Sequence, residues 1–295
     1  MPNSIALASK FLPVLDAVYK RESLTSRFDA TNSAVQFIGG NAVKLFKIAM
    51  DGFGDYSRNN GFIQGSVNGT WETLTMQYDR GISLSVDNMD DEETMGLAFG
   101  ELVGQFMRTK EIPEVDAVRF ATYATNAGNS ANADLSGSSD VPDLIATAQQ
   151  VMGDAEVPKE DRVLFVSETC YKYLKGKITR MLSNERGVNR EIEVYDNMEV
   201  IPVPTARFQT AVTLYDGSSN FGFVPTAGGY KINFMIVHPT ALRQVVKHAM
   251  PRIWLPNENI NADAYKFDMR LYHGAWVLDN KTAGIYLHRA STAIS

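Results

Sequence analysis

The 295-residue chain has one cysteine, Cys170, so no disulfide can close within it; a small secreted scaffold held by disulfides is excluded. Its four histidines, His238, His248, His273 and His288, are scattered, with none of the close His/Cys spacings that hold zinc. Positive charge is in short supply: 28 Lys and Arg stand against 34 Asp and Glu, a net charge of −6, which argues against a chain whose main task is gripping nucleic-acid phosphates. No apolar run approaches the ~18 residues of a membrane span. The opening Met-Pro-Asn-Ser-Ile-Ala-Leu-Ala-Ser-Lys has no basic stretch followed by an apolar core, unlike a secretory signal. A soluble protein of a cytoplasm-like compartment is expected. With 44% hydrophobic and 21% charged residues the composition is globular, and the length allows about two domains.

The common chemical fingerprints also fail. Gly52-Phe53-Gly54 has Ser57 where a dinucleotide loop needs its third glycine. Gly176-Lys177 is followed by Ile178 rather than Ser or Thr, and Gly217-Ser218-Ser219-Asn220 is no nucleophile elbow. The acidic run Asp87 to Glu93 has Glu92 where a calcium loop requires glycine; carboxylates at the positive end of a helix explain it better. Asn68-Gly69-Thr70 and Asn280-Lys281-Thr282 match the glycosylation pattern, which carries little weight without a secretory signal. Lys172, Lys175, Lys177, Arg180, Arg186 and Arg190, with Tyr171 and Tyr173, form a basic cluster. It reads as a solvated helix face, the alternative being a contact with an acidic surface of a neighbouring copy, such as that around Asp90. No catalytic residue, cofactor or metal ligand is expected.

What is there is architectural. Leu7, Phe11, Leu15 and Val18 recur at helical steps, and a polar stretch from Ser23 to Ser33 follows, together resembling an arm ordered only against something else. Val43 to Ala49 reads as a strand and Glu72 to Val86 as a longer one. In the latter Leu74, Met76, Tyr78, Ile82, Leu84 and Val86 fall on even positions with polar residues between. The connecting tip is rich in glycine and carries Phe53, Tyr56 and Phe62. A lone two-stranded ribbon is marginal in water, so its apolar face needs cover, either from its own domain or from a neighbouring subunit. Asp87 to Lys110 reads as a long helix, and Pro113 opens a second one to Ala124. Gly96, Gly100 and Gly104 form a smooth strip along the first. Three glycines there cost roughly 3 kcal/mol of helix propensity, which close approach of another backbone would offset. Ala127 to Asp140 is a polar connector. Helices are expected over 141–152, 168–182 and from Leu242 to Ala249, strands over 162–167, 191–203, 230–237, 265–271, 275–278 and 284–288, and a glycine-rich loop over 217–229. The class is α+β, without internal repeats.

This order of parts resembles the major capsid protein of tailed bacteriophages. The resemblance rests on the glycine-tipped hairpin, the long helix, the compact α/β insertion and the returning strands. Met198-Glu-Val-Ile-Pro202-Val-Pro204-Thr resembles a strand segment of such insertions, and Arg270-Leu-Tyr-His-Gly-Ala-Trp-Val-Leu before a turn with Ala283-Gly-Ile-Tyr-Leu-His after it resembles the return. Met89 to Phe120 is similar to capsid proteins of long-tailed phages. The resemblance implies an N-terminal arm (1–41), an E-loop hairpin (42–86), a peripheral domain with a spine helix (87–140), an inserted α/β axial domain (141–250) and returning peripheral strands (251–295). It implies a non-enzymatic shell subunit of the virion, assembled in the host cytoplasm into hexamers and pentamers of an icosahedral head around double-stranded DNA. The DNA would be held without sequence-specific contact, no membrane would be involved, and a separate scaffolding protein and a portal would take part. Expected inter-subunit contacts are Phe53, Tyr56, Arg58, Phe62, Trp71, Gly96, Gly100 and Gly104. Lys44 and Lys47 sit at the hairpin base and no lysine lies between Asp51 and Arg80, so the lysine cross-link of some family members is not expected. Two other readings stand beside it: an encapsulin-like nanocompartment shell, and a soluble α+β ligand-binding protein or hydrolase.

Overall fold

The computed structural model describes residues 23–29, 37–38, 42–56, 58, 62–93, 97–135, 137, 140–185 and 188–294. The helix expected over 7–18 lies outside them, as do Gly96 and Arg186. In chain order the elements are β1 (Phe37–Ile38), β2 (Ala42–Met50), β3 (Val67–Thr75), β4 (Tyr78–Asp87), α1 (Asn88–Glu93) and α2 (Leu97–Phe106). A π turn (Met107–Glu111) leads into α3 (Ile112–Thr125), followed by β5 (Asn129–Asn132), α4 (Asp140–Asp154), β6 (Val163–Ser167) and α5 (Glu168–Leu174). Then come β7 (Thr179–Glu185), β8 (Val188–Tyr195), β9 (Met198–Val203), β10 (Val212–Leu214), β11 (Phe223–Pro225) and β12 (Tyr230–Val237). The chain ends with β13 (Leu242–Trp254), β14 (Ala264–Val277) and β15 (Ile285–Ala293).

A seven-stranded mixed sheet, ordered β5-β15-β12-β6-β9-β8-β7, forms the centre of the larger core. All of β6 is buried because both sheet faces are covered, which is why Val163 to Val166 is an unbroken apolar run rather than an alternation. Val163 and Phe165 face α3 through Phe120 and Tyr123, with Phe208, Ile232, Met235 and Leu287 beside them. Leu164 and Val166 face α4 and α5 through Val141, Ile145, Ala148, Met152, Cys170 and Leu174. A second, three-stranded sheet, β13-β14-β4, packs Phe267 and Met269 against Val103 and Met107 of the long helix.

Several elements depart from the pattern-based expectation. Leu242 to Ala249 is not helical: β13 pairs along its length with β14, from Leu242↔Val277 to Trp254↔Lys266. Its apolar residues follow a helical period, and pairing with β14 overrides it. Pro251 is tolerated because β13 is an edge strand. The helix expected over 168–182 stops at Leu174, and Thr179 begins a strand. The polar connector contains β5, parallel to β15. Strand pairing also crosses the expected bound at residue 250, since β13 starts at Leu242, and β15 joins the seven-stranded sheet rather than staying beside β14.

The two expected helices of 87–124 are one continuous helix from Leu97 to Thr125, with Phe106 and Ile112 both helical on either side of the π turn. Pro113 explains the wider turn. It has no N–H for the carbonyl of Thr109 and its ring would crowd that carbonyl in an α-helix; the Ile112 N–H instead donates five residues back, to Met107.

Candidate assembly surface

The hairpin is built by β2 and β3, antiparallel from Ala42↔Thr75 to Met50↔Val67. At its far end Asp51 fastens the tip: its carboxylate accepts from the Ser66 amide and hydroxyl, both at 2.8 Å. These two bonds hold the Asp51 carboxyl below the usual range. Directly opposed residues of an antiparallel pair share a face. Ile48↔Gly69 and Met50↔Val67, with Trp71 two residues on from Gly69, therefore make one apolar face of the ribbon. Among the described residues, thirteen large hydrophobic side chains stand exposed, and eight of them are on this hairpin and its tip: Ile48, Met50, Phe53, Tyr56, Phe62, Ile63, Val67 and Trp71. Phe53 and Phe62 are 112% and 88% exposed. The rings of Tyr56 and Phe62 meet edge to face at 5.1 Å, so the tip presents an ordered aromatic pair. A concentration of this kind marks an interaction surface.

The alternation that drew attention to 72–86 belongs to the opposite face. Leu74 and Met76 are buried with Val245 and Trp276, and Ile82, Leu84 and Val86 pack on the long helix. The expected single strand is in fact two, broken at Met76 and Gln77, with β3 paired to β2 and β4 to β14. The even positions are therefore covered within the chain. The face left open is the odd one, with Val67 and Trp71.

The hairpin root is rigid. The Trp276 indole N–H donates to the Thr75 carbonyl at 3.1 Å, and its ring lies where a Cβ on residue 274 would stand, 2.5 Å away, so only glycine fits at Gly274. Arg80 on β4 grips Glu114 of α3 through Nε (2.6 Å) and Nη2 (3.3 Å) and the Tyr215 carbonyl through Nη1. Burial and the nearby Arg119 and Arg80 push the His273 imidazole down to about 3; it stays neutral and stacks on Tyr78.

Residues 23–29, expected as part of an arm ordered only by something else, are clamped to the chain's own long helix. The buried Asp116 carboxylate accepts from the Ser23 hydroxyl, the Leu24 and Thr25 amides and the Thr25 hydroxyl, the last at 2.6 Å. Arg119, with no side-chain exposure, donates to Asp29 at 2.8 Å and to the Thr25 hydroxyl. Gln244 of β13 donates to the Thr25 carbonyl and Asp29 and accepts from the Tyr123 hydroxyl. Sequence reasoning missed this cluster; its one local sign is two opposite charges three residues apart on an otherwise apolar stretch of helix.

Of the other expected contact residues, Arg58 stands exposed at the tip. Gly104 lies on α2, and among the described residues nothing stands within 4 Å of where its Cβ would be. Gly100 lies on the same helix. Lys172, Lys175, Lys177 and Arg180 are exposed, with Arg180 3.7 Å from Glu193. Cys170 is buried and its thiol is pushed up to about 12 by desolvation, an inert packing residue. Among the described residues no group of His, Cys, Asp and Glu gathers as metal ligands would, and no helix is long and apolar enough to cross a membrane.

No family model and no curated protein matches the sequence. Solved structures do resemble it. The mature capsid of bacteriophage PhiM1 aligns with a TM-score of 0.60 at 11% identity, over 86% of this chain and 83% of that one. The head of Helicobacter pylori bacteriophage KHP40 aligns at 0.57 and 12% identity, over 85% and 84%. This chain has the fold of a tailed-phage capsid protein. A virus-like particle of Pyrococcus furiosus shares it at 0.51 and 11% identity, over 93% of this chain and 95% of that one.

Proposed function

We propose that this chain is the major shell subunit of a tailed-phage head, assembling with copies of itself into hexamers and pentamers of an icosahedral container for double-stranded DNA. One observation carries the reading: a capsid fold whose exposed apolar side chains are concentrated on a projecting, rigidly rooted hairpin. Fully covering Phe53, Phe62 and Trp71 would contribute roughly 2 kcal/mol each, and many such contacts sum by multivalency in a closed shell. Phe53, Tyr56, Arg58, Phe62 and Trp71 are assigned to the contact with an adjacent copy. Gly100 and Gly104, with Gly96, are assigned to a second contact along the long helix, supported by the empty space over Gly104. The parts follow the resemblance: arm (1–41), E-loop (42–86), peripheral domain (87–140), axial domain (141–250) and returning strands (251–295), with β13 shared across the last bound. The net negative charge suits a container that DNA must enter and leave. A separate scaffolding protein and a portal complete the assembly in the host cytoplasm, and the role is structural rather than catalytic.

A second reading, an encapsulin-like nanocompartment, is favoured by the likeness to the Pyrococcus particle over nearly its whole length, but at a lower TM-score than the phage capsids. Particle contents separate the two: DNA, or a packaged protein. The shell role itself is tested by deleting Asp51 to Thr70 and examining the expressed chain by negative-stain microscopy and light scattering. The full chain should form closed particles and the deletion variant should remain small with unchanged circular dichroism. Normal particles from the deletion variant would overturn the reading, as would a compact monomer from the full chain co-expressed with its genomic neighbours.

A further inference from the structure

The long helix changes pitch at one place, and a carboxyl group is shut inside that place. Glu111 closes the π turn Met107–Glu111. It is 8% exposed, and its Oε2 is buried without a hydrogen-bond partner. The first residue of the turn, Met107, is buried against Phe267 and Met269 of β14. Glu114, three residues on, is held by Arg80 of β4, which spends its remaining nitrogen on the Tyr215 carbonyl.

The other charged groups nearby give no compensation. On the helix, Arg108 and Lys110 face solvent and Asp116 is saturated by the Ser23–Thr25 segment. On β14, His273 is buried and neutral, while Arg270 pairs with Asp79, and Asp268 with Lys266 and the Trp254 indole. Desolvation, with the Glu114 charge as the smaller cause, raises the Glu111 carboxyl to about 7.

We propose that this π turn is a proton-controlled joint in the long helix: Glu111 is held inside as the neutral acid, and loss of its proton drives the carboxylate toward water and rewinds the turn. Glu111 and Met107 stand four residues apart in the same turn, so a rotation of the turn that brings the carboxylate to water also draws Met107 off Phe267 and Met269. A buried carboxyl favours the folded arrangement while protonated. The sign is therefore fixed: the contribution is complete below the ordinary carboxylate value of 4.5, falls as pH rises, and is lost above about 7. The joint works in the single chain and does not depend on the shell reading.

Hydrogen–deuterium exchange on the full chain tests this, following peptides from 103–114 and 264–270 between about pH 6 and about pH 8.5 with intrinsic rates corrected. Protection should fall by about tenfold in all, declining as pH rises to about 7 and levelling off above it, and Glu111→Gln, which stays neutral, should remain protected throughout. A flat wild-type profile identical to that of Glu111→Gln would overturn the proposal. Should the glutamine unsettle the turn, carbon NMR of the full chain labelled at glutamate Cδ reads the same group directly: titration near 7 supports the joint, and titration near 4.5 refutes it. Glu114→Gln should move that levelling-off to lower pH.

Discussion

The seven-stranded sheet and the β2–β3 hairpin are made of similar residues and meet opposite fates. Both are rich in β-branched and aromatic side chains, yet Phe165, Phe234 and Val166 are completely buried while Phe53, Phe62 and Val67 stand in water. The difference is in what surrounds them. The sheet has α3 on one face and α4 with α5 on the other; the hairpin has a covered root and an open far end. The protein thus separates apolar residues that make the subunit from apolar residues left for a partner.

That separation is testable by size of effect. Phe120→Ala, in the core against Phe165 and Phe208, should destabilise the isolated chain by about 3–5 kcal/mol in urea unfolding, whereas Trp71→Ala should change it by less than about 0.5. A large loss from Trp71→Ala would mean that the hairpin is covered within the subunit. Asp116→Ala should cost about 3 kcal/mol, because it leaves the Thr25 hydroxyl and two amides without their acceptor beside Arg119 and Arg207. Residues 23–29 should then become sensitive to proteolysis; a variant that unfolds like the parent would show the clamp to be incidental. Gly274→Ala should cost about 2 kcal/mol by displacing the Trp276 ring, with a shift in tryptophan emission as its bond to Thr75 breaks; an unchanged spectrum would contradict the rigid root. Asp51→Asn should leave global stability unchanged and loosen only the tip, read as faster exchange of the Ser66 amide. Since Asp51 titrates below its ordinary value, the same loosening should appear in the parent as pH falls through that lower value, and not above it.

How much of this the sequence foretold depends on the range of the interaction. An unbroken apolar run marks β6, and periodicity marks α4 and the even-residue face of 74–86, because each is a local pattern. Periodicity misreads Leu242 to Ala249, whose pairing partners on β14 lie 22 to 35 residues ahead. It also leaves open what covers the even face of the ribbon, since Leu74 and Met76 find cover in Trp276 and Val245, roughly 200 and roughly 170 residues away. Asp116 and Thr25 meet across a separation of 91, which no local pattern records. The π turn leaves one sign, a proline inside a helical pattern, and the buried state of Glu111 leaves none.

The hairpin's coverage by another copy can be watched at a single atom. Cys170 is buried with a thiol near 12 and will not label, so Phe62→Cys places one reactive thiol at an 88% exposed position. The account predicts rapid maleimide labelling of the dispersed chain and labelling slowed by at least about tenfold in assembled particles. Equal rates in both would show that the tip meets no neighbour, and the shell account would fail.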